Sequence, residues 1–168
     1  FGIMRDGDTD YSELIYNIPE GNIYDFFNLG FSYDGEYSRL YINNQEVKVI
    51  KYDEIKPIKI GTNTPIFIGK HNSADTNYFK GMIDEIRLFN KVLSDEERRY
   101  FYNRKLLGTE KYLVGYYTFD DGSAEDTSSI KNTGTVYNLE YGIGEIDLID
   151  LPIINIVHIS DTTPWIED

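Results

Sequence analysis

The chain has 168 residues, a formal net charge of −13 and no cysteine. The missing thiols remove disulfides, thiolate metal sites and cysteine catalysis. The negative charge argues against nucleic acid and anionic membrane surfaces, whose phosphates call for Lys and Arg. Hydrophobic residues make up 40% and charged residues 27%, the balance of a folded domain with a core of its own. Fifteen Tyr and nine Phe suit a half-buried pleated surface. No apolar run is long enough to span a bilayer. The chain opens on Phe1 rather than Met, which reads as a piece of a longer polypeptide.

Taken in order, residues 1–5 read as a strand entered midway, and Asp6-Gly7-Asp8 turns it. Residues 12–18 alternate weakly as a second strand, and Pro19-Glu20-Gly21-Asn22 is a turn. Residues 26–33 and 37–43 form two strands around Asp34-Gly35. Asn43-Asn44 then sits where a two-residue hairpin needs positive φ, and Val47 and Val49 carry the return strand. Residues 55–60 are a short strand that Pro57 confines to an edge. Residues 65–70 are another strand, followed by a polar loop. Residues 79–89 alternate again, with Met82, Asp84, Ile86 and Leu88 on the core face. Ser94 and Glu97 make a capping box that opens a helix over 95–104, with Gly108 beyond its end. Residues 113–122, 145–150 and 152–159 add further strands. Residues 161–164 read as a linker, and Trp165 as a tail contact. Short strands at near-regular spacing around one helix predict an all-β antiparallel sandwich.

Three segments carry a family resemblance. Gly81-Met82-Ile83-Asp84-Glu85-Ile86-Arg87-Leu88-Phe89-Asn90 with Leu93-Ser94 and Glu97 resembles the closing strand and short helix of laminin-G-like domains, within the concanavalin A-like lectin superfamily. Phe31-Ser32-Tyr33-Asp34-Gly35, running to Leu40-Tyr41-Ile42-Asn43-Asn44, resembles that family's hairpin. Ile66-Phe67-Ile68-Gly69 resembles one of its strands. The resemblance covers residues 28–100, and it implies a jelly-roll β-sandwich that recognises surfaces rather than one that catalyses. Leu113-Val114-Gly115-Tyr116-Tyr117-Thr118-Phe119-Asp120-Asp121-Gly122, with Asp126-Thr127-Ser128-Ser129 and Thr133-Gly134-Thr135-Val136, resembles the opening of the same family pattern. The back half therefore precedes the front half. Either the chain crosses a tandem repeat, or the later strands fold back onto the same sandwich; an isolated strand would leave backbone groups unpaired. The family's middle section with its buried Trp strand is missing. The expected organisation is a sandwich over 1–110, family-opening strands over 111–144, and strands plus linker over 145–168.

Three constellations could carry chemistry. Asp84 places a carboxylate on an apolar face, where a charge needs a partner, a metal or a rim position. Hard cations gather several oxygens, and the resemblance implies that Asp120 and Asp126 complete a Ca2+ site. The alternative is an Asp84 that accepts hydrogen bonds at the rim. The second constellation is the loop bearing His71, Asn72, Asp75, Asn77 and Tyr78, whose polar groups and aromatic fit a sugar-binding rim or a solvated connection. The third is Glu145-Ile146-Asp147-Leu148-Ile149-Asp150, which resembles the paired-carboxylate strand of concanavalin A-like glycosidases. The last position is one methylene short, and an acidic chain produces such a pattern by composition.

The expected function is a non-catalytic carbohydrate- or receptor-binding module of a larger extracellular or virion surface protein, of bacterial or phage origin. Its partners would be a glycan or cell-surface receptor and neighbouring domains or subunits, with no nucleic acid and no membrane insertion. The alternatives are a structural spacer or oligomerisation domain of a fibre, and a glycoside hydrolase-like domain.

Overall fold

The computed structural model describes residues 2–3, 5–9, 12–17, 27–59, 66–69, 79, 81–102, 104–136 and 158–159. In chain order the elements are β1 (Gly2–Ile3), β2 (Ser12–Glu13), β3 (Leu29–Tyr33), β4 (Tyr37–Ile42), β5 (Gln45–Lys51), β6 (Ile86–Phe89), α1 (Asp95–Tyr102), β7 (Leu113–Tyr117) and β8 (His158–Ile159). Among the described residues they form a two-stranded sheet, β1-β2, and a six-stranded sheet in the order β5-β4-β3-β8-β6-β7. Among the described residues the regular structure is thus mostly strand, with one helix. Its pairings are antiparallel except at β8, which runs parallel to both β3 and β6.

The β3–β5 meander follows from local chemistry. Asn43 and Asn44 take φ of 48° and 64°, the left-handed pair that a tight hairpin demands. At the other end, Asp34 Oδ1 accepts the amides of Glu36 and Tyr37 at 3.0 and 2.6 Å, and its Oδ2 accepts Arg39 Nη1 at 2.6 Å. Gly35 turns the chain with φ 96°. Burial alone would push the Asp34 carboxyl up, but the Arg39 guanidinium and the two amides outweigh it and hold it below the usual range. The Tyr33 hydroxyl donates to the Lys56 carbonyl at 2.5 Å, and this ties the meander to the segment after β5.

Each face of the large sheet has its own core. Leu14, Phe31, Tyr33, Leu40 and Tyr52 form one cluster, with Leu88 packed against it. Phe89, Leu93, Leu106, Leu113 and Tyr116 form the other, with Phe101 of α1 against it; the Phe89 and Phe101 rings stack at 5.3 Å. Strand β6 therefore lies between two apolar layers. The capping box forms as its spacing dictates. Glu97 N–H donates to Ser94 Oγ at 3.2 Å, and Ser94 N–H donates to Glu97 Oε2 at 2.8 Å.

Several expected strands are shorter or absent. The strand over 79–89 pairs only from Ile86, because Glu85 adopts φ 53° and breaks the extended run. Met82 is 66% exposed rather than in the core. Of the strand expected over 55–60, the described residues 55–59 supply one bridge, Arg5 to Ile58, in keeping with Pro57's lost donor. Residues 66–69 are not strand, and the helix ends at Tyr102. The 145–150 segment lies outside the described residues.

Gly108 has φ 83°, and a Cβ there would fall inside contact distance of the Thr127 carbonyl oxygen. Gly108→Ala is therefore expected to lose about 2 kcal/mol from combined backbone strain and backbone collision, read as a lowered urea midpoint.

Candidate functional site

The chemistry-bearing residues gather where β6, β7 and the exit of α1 meet. Arg87 is fully buried, and Glu85 is 3% exposed. The guanidinium Nη2 donates to Glu85 Oε2 at 2.8 Å and to the Arg104 carbonyl, while Nη1 donates to the Phe101 carbonyl at 2.6 Å. The last carbonyls of a helix have no partner within it, and here the planar fork of one arginine serves the helix end and a carboxylate together. The Tyr116 hydroxyl donates to Glu85 Oε2 at 2.8 Å and accepts the Leu106 amide at 3.2 Å. Burial, then the Glu85 acceptor and its charge, push this phenol well above its ordinary range. The Asp-Glu-Ile-Arg segment is thus a lock between strand and helix. Alternation missed it because both faces of β6 are buried.

Asp84 is half-buried, and its Oδ1 accepts the Glu85 amide at 2.9 Å. Burial chiefly raises its pKa, and the charges of Glu85 and Asp120 add to that rise. Asp120 is exposed and paired with Lys105 Nζ at 2.5 Å. Asp126 does different work. It is fully buried, and its Oδ1 accepts the amides of Tyr116 and Ser128 at 2.9 and 2.8 Å. Its Oδ2 accepts the Ser128 hydroxyl and the Asn132 amide at 2.9 and 2.7 Å. Burial by itself raises its pKa, yet these donors outweigh it and hold the carboxyl below its ordinary range.

The three carboxylates expected at a Ca2+ site, Asp84, Asp120 and Asp126, differ in their surroundings. Asp84 and Asp120 are close enough to feel one another's charge, but Asp126 faces amides on both oxygens. Among the described residues no group of three or more His, Asp or Glu is placed to hold a metal ion. His71, Asn72, Asp75, Asn77 and Tyr78 lie outside the described residues, as do Glu145, Asp147 and Asp150.

Asp126 also closes the sheet. Thr127 N–H and its hydroxyl donate to the Tyr116 carbonyl at 2.8 and 3.0 Å. With the Asp126 bond to Tyr116 N–H, this loop occupies backbone groups along the outer edge of β7, which would otherwise be open to pairing. No helix among the described residues is long and apolar enough to cross a membrane.

No curated protein and no solved structure gives a significant match to the chain. A family model described as the concanavalin A-like lectin/glucanases superfamily matches residues 25–97, from just before β3 into the first turn of α1. Over that segment, where Asp34-Gly35 and the Glu85–Arg87 lock hold the meander and helix in place, the chain carries the pattern of the concanavalin A-like lectin/glucanases superfamily.

Proposed function

We propose that this domain is a non-catalytic recognition module, binding a carbohydrate or a surface receptor as part of a larger extracellular or virion surface protein. The observation that carries the reading is the match over residues 25–97 to the concanavalin A-like lectin/glucanases superfamily. Two buried carboxylates lend it support: Glu85 and Asp126 are committed to internal donors, whereas paired-carboxylate hydrolysis needs two carboxyls facing one cleft.

The test is a glycan-array and cell-binding screen of the full chain, run beside a hydrolysis assay on β-glucans. Saturable binding without turnover is expected. Hydrolysis that disappears in Glu145→Gln would replace the reading with an enzyme. A stable oligomer that binds nothing would replace it with a structural spacer.

A further inference from the structure

Tyr112 occupies a position that an aromatic residue avoids. The Leu113 amide donates to the Glu110 carbonyl at 3.1 Å, closing a four-residue turn whose third residue, Tyr112, has φ 71°. A turn with positive φ at that position normally takes glycine, and a bulky side chain there is a genuine outlier. Nothing in the core requires the ring, since Tyr112 is 40% exposed. Its backbone is held firmly, because its carbonyl accepts the Asn90 amide at the end of β6 at 3.0 Å.

Two cations lie close to the ring. Lys91 Nζ lies 5.0 Å and Lys111 Nζ 4.7 Å from its centroid, within cation–π range. Glu97 holds Lys91 at 2.6 Å, whereas Lys111 has no carboxylate partner among the described residues. The stretch 91–111 carries six of the chain's 16 Lys and Arg against four carboxylates, in a chain of net charge −13. Around the strained aromatic itself, two lysines face one carboxylate, Glu97. Backbone strain of this kind persists only where the surrounding structure holds it, and such positions cluster at active sites and ligand clamps.

Resting on the recognition-module reading, we infer that Tyr112, Lys111 and Lys91 form a subsite for an acidic sugar, one bearing a carboxylate or a sulfate. The ammonium groups would take the anion through charge-assisted hydrogen bonds, and the tyrosine would offer its apolar edge and hydroxyl to the sugar ring. The chain's overall charge repels anions at long range. The attraction therefore works inside roughly the 8 Å screening length of physiological salt.

The experiment titrates the full chain with hexagalacturonate, a chondroitin sulfate hexasaccharide and neutral maltohexaose by calorimetry, alongside thermal melts. Binding to one or both acidic probes is expected, and the arm that responds identifies the anion. Lys111→Ala should weaken it at least fivefold. Tyr112→Gly should weaken it at least tenfold while leaving the melting temperature unchanged or higher, since glycine relieves the turn; a merely structural tyrosine would not separate these readouts. Acidic binding that survives Tyr112→Gly overturns the subsite. Binding of maltohexaose alone, unaffected by either variant, overturns the subsite and leaves the module reading intact. If the acidic probes do not bind, the subsite is wrong whatever the glycan array shows.

Discussion

Arg87→Met is expected to destabilise the domain by about 3–5 kcal/mol, the range for breaking a buried ion pair from one side. The substitution keeps most of the side-chain volume, so the loss reports on charge and hydrogen bonding. It would leave Glu85 buried beside a phenol with no cation, strip the Arg104 carbonyl of the Arg87 donor, and leave the Phe101 carbonyl with only the long bond from the Arg104 amide at 3.4 Å. Against a typical domain stability of about 5–15 kcal/mol, that is enough to unfold a visible fraction at 37 °C. Arg87→Lys should recover little of the loss, because one ammonium cannot span a carboxylate and two carbonyls in the geometry of a guanidinium fork. The companion measurement is a double-mutant cycle. Glu85→Leu with Arg87→Met should cost less than the two single changes together, since the pair is removed without leaving an orphan charge. The readout is the urea midpoint at constant slope. A shift below about 0.5 kcal/mol for Arg87→Met, within the range of ordinary surface substitutions, would mean that helix and strand are not held by this network.

Asp126→Ala should cost about 3 kcal/mol, through the buried amides of Tyr116 and Ser128, which lose their acceptor, and the part-buried bond from Asn132, which is lost with them. Asp126→Asn should fall between wild type and Ala. Its carbonyl can keep one pair of donors, but its NH2 group would then face the Asn132 amide, donor against donor. The same carboxylate gives the domain an acid sensitivity of known sign. Folding lowers its pKa below the ordinary value, so the unfolded chain binds the proton more readily than the folded one. The stabilisation is complete above the ordinary carboxylate range and is lost as pH falls through the folded value. Asp34, lowered by Arg39 and two amides against the cost of burial, adds in the same direction. Chemical unfolding at about pH 7, 4 and 3 should therefore show stability falling with acid, with a shallower fall in Asp126→Asn. An equally steep fall in that variant would assign the acid sensitivity to other carboxylates. Loss of Asp126 also frees the amide of Tyr116 on the β7 edge, so the Ala variant is expected to aggregate more readily at equal protein concentration.

These two residues show where sequence reasoning reached and where it stopped. The family-like motif around Asp126 points to calcium, but the groups on its oxygens are three amides and the Ser128 hydroxyl, brought to it by the chain's path around Tyr116. Alternation puts Asp84 on the core face. The side chains that are buried are its neighbours Glu85 and Arg87. Alternation identifies a face only when one side of a strand is wet. Strand β6 has Leu88 against one apolar cluster and Phe89 in another, so the pattern carried no information about which side was inside. A burial prediction for Arg87 would have required knowing that Phe101, Arg104 and Tyr116 converge on it.

What the sequence by itself determined is the local structure. The β3–β4–β5 meander with its Asn43-Asn44 turn, the Asp34-Gly35 reversal and the Ser94–Glu97 cap are each dictated by residues within a few positions of one another. Short-range dihedral preference and side-chain-to-backbone hydrogen bonds are sufficient for these elements. The tertiary structure alone decided the rest. It set β7 against β6 and β8 between β3 and β6, and it buried an ion pair at the helix exit. It also left Tyr112 strained at the surface close to two lysines. Those outcomes depend on which distant groups share a dry interior, and no period or motif within a strand encodes its partners there.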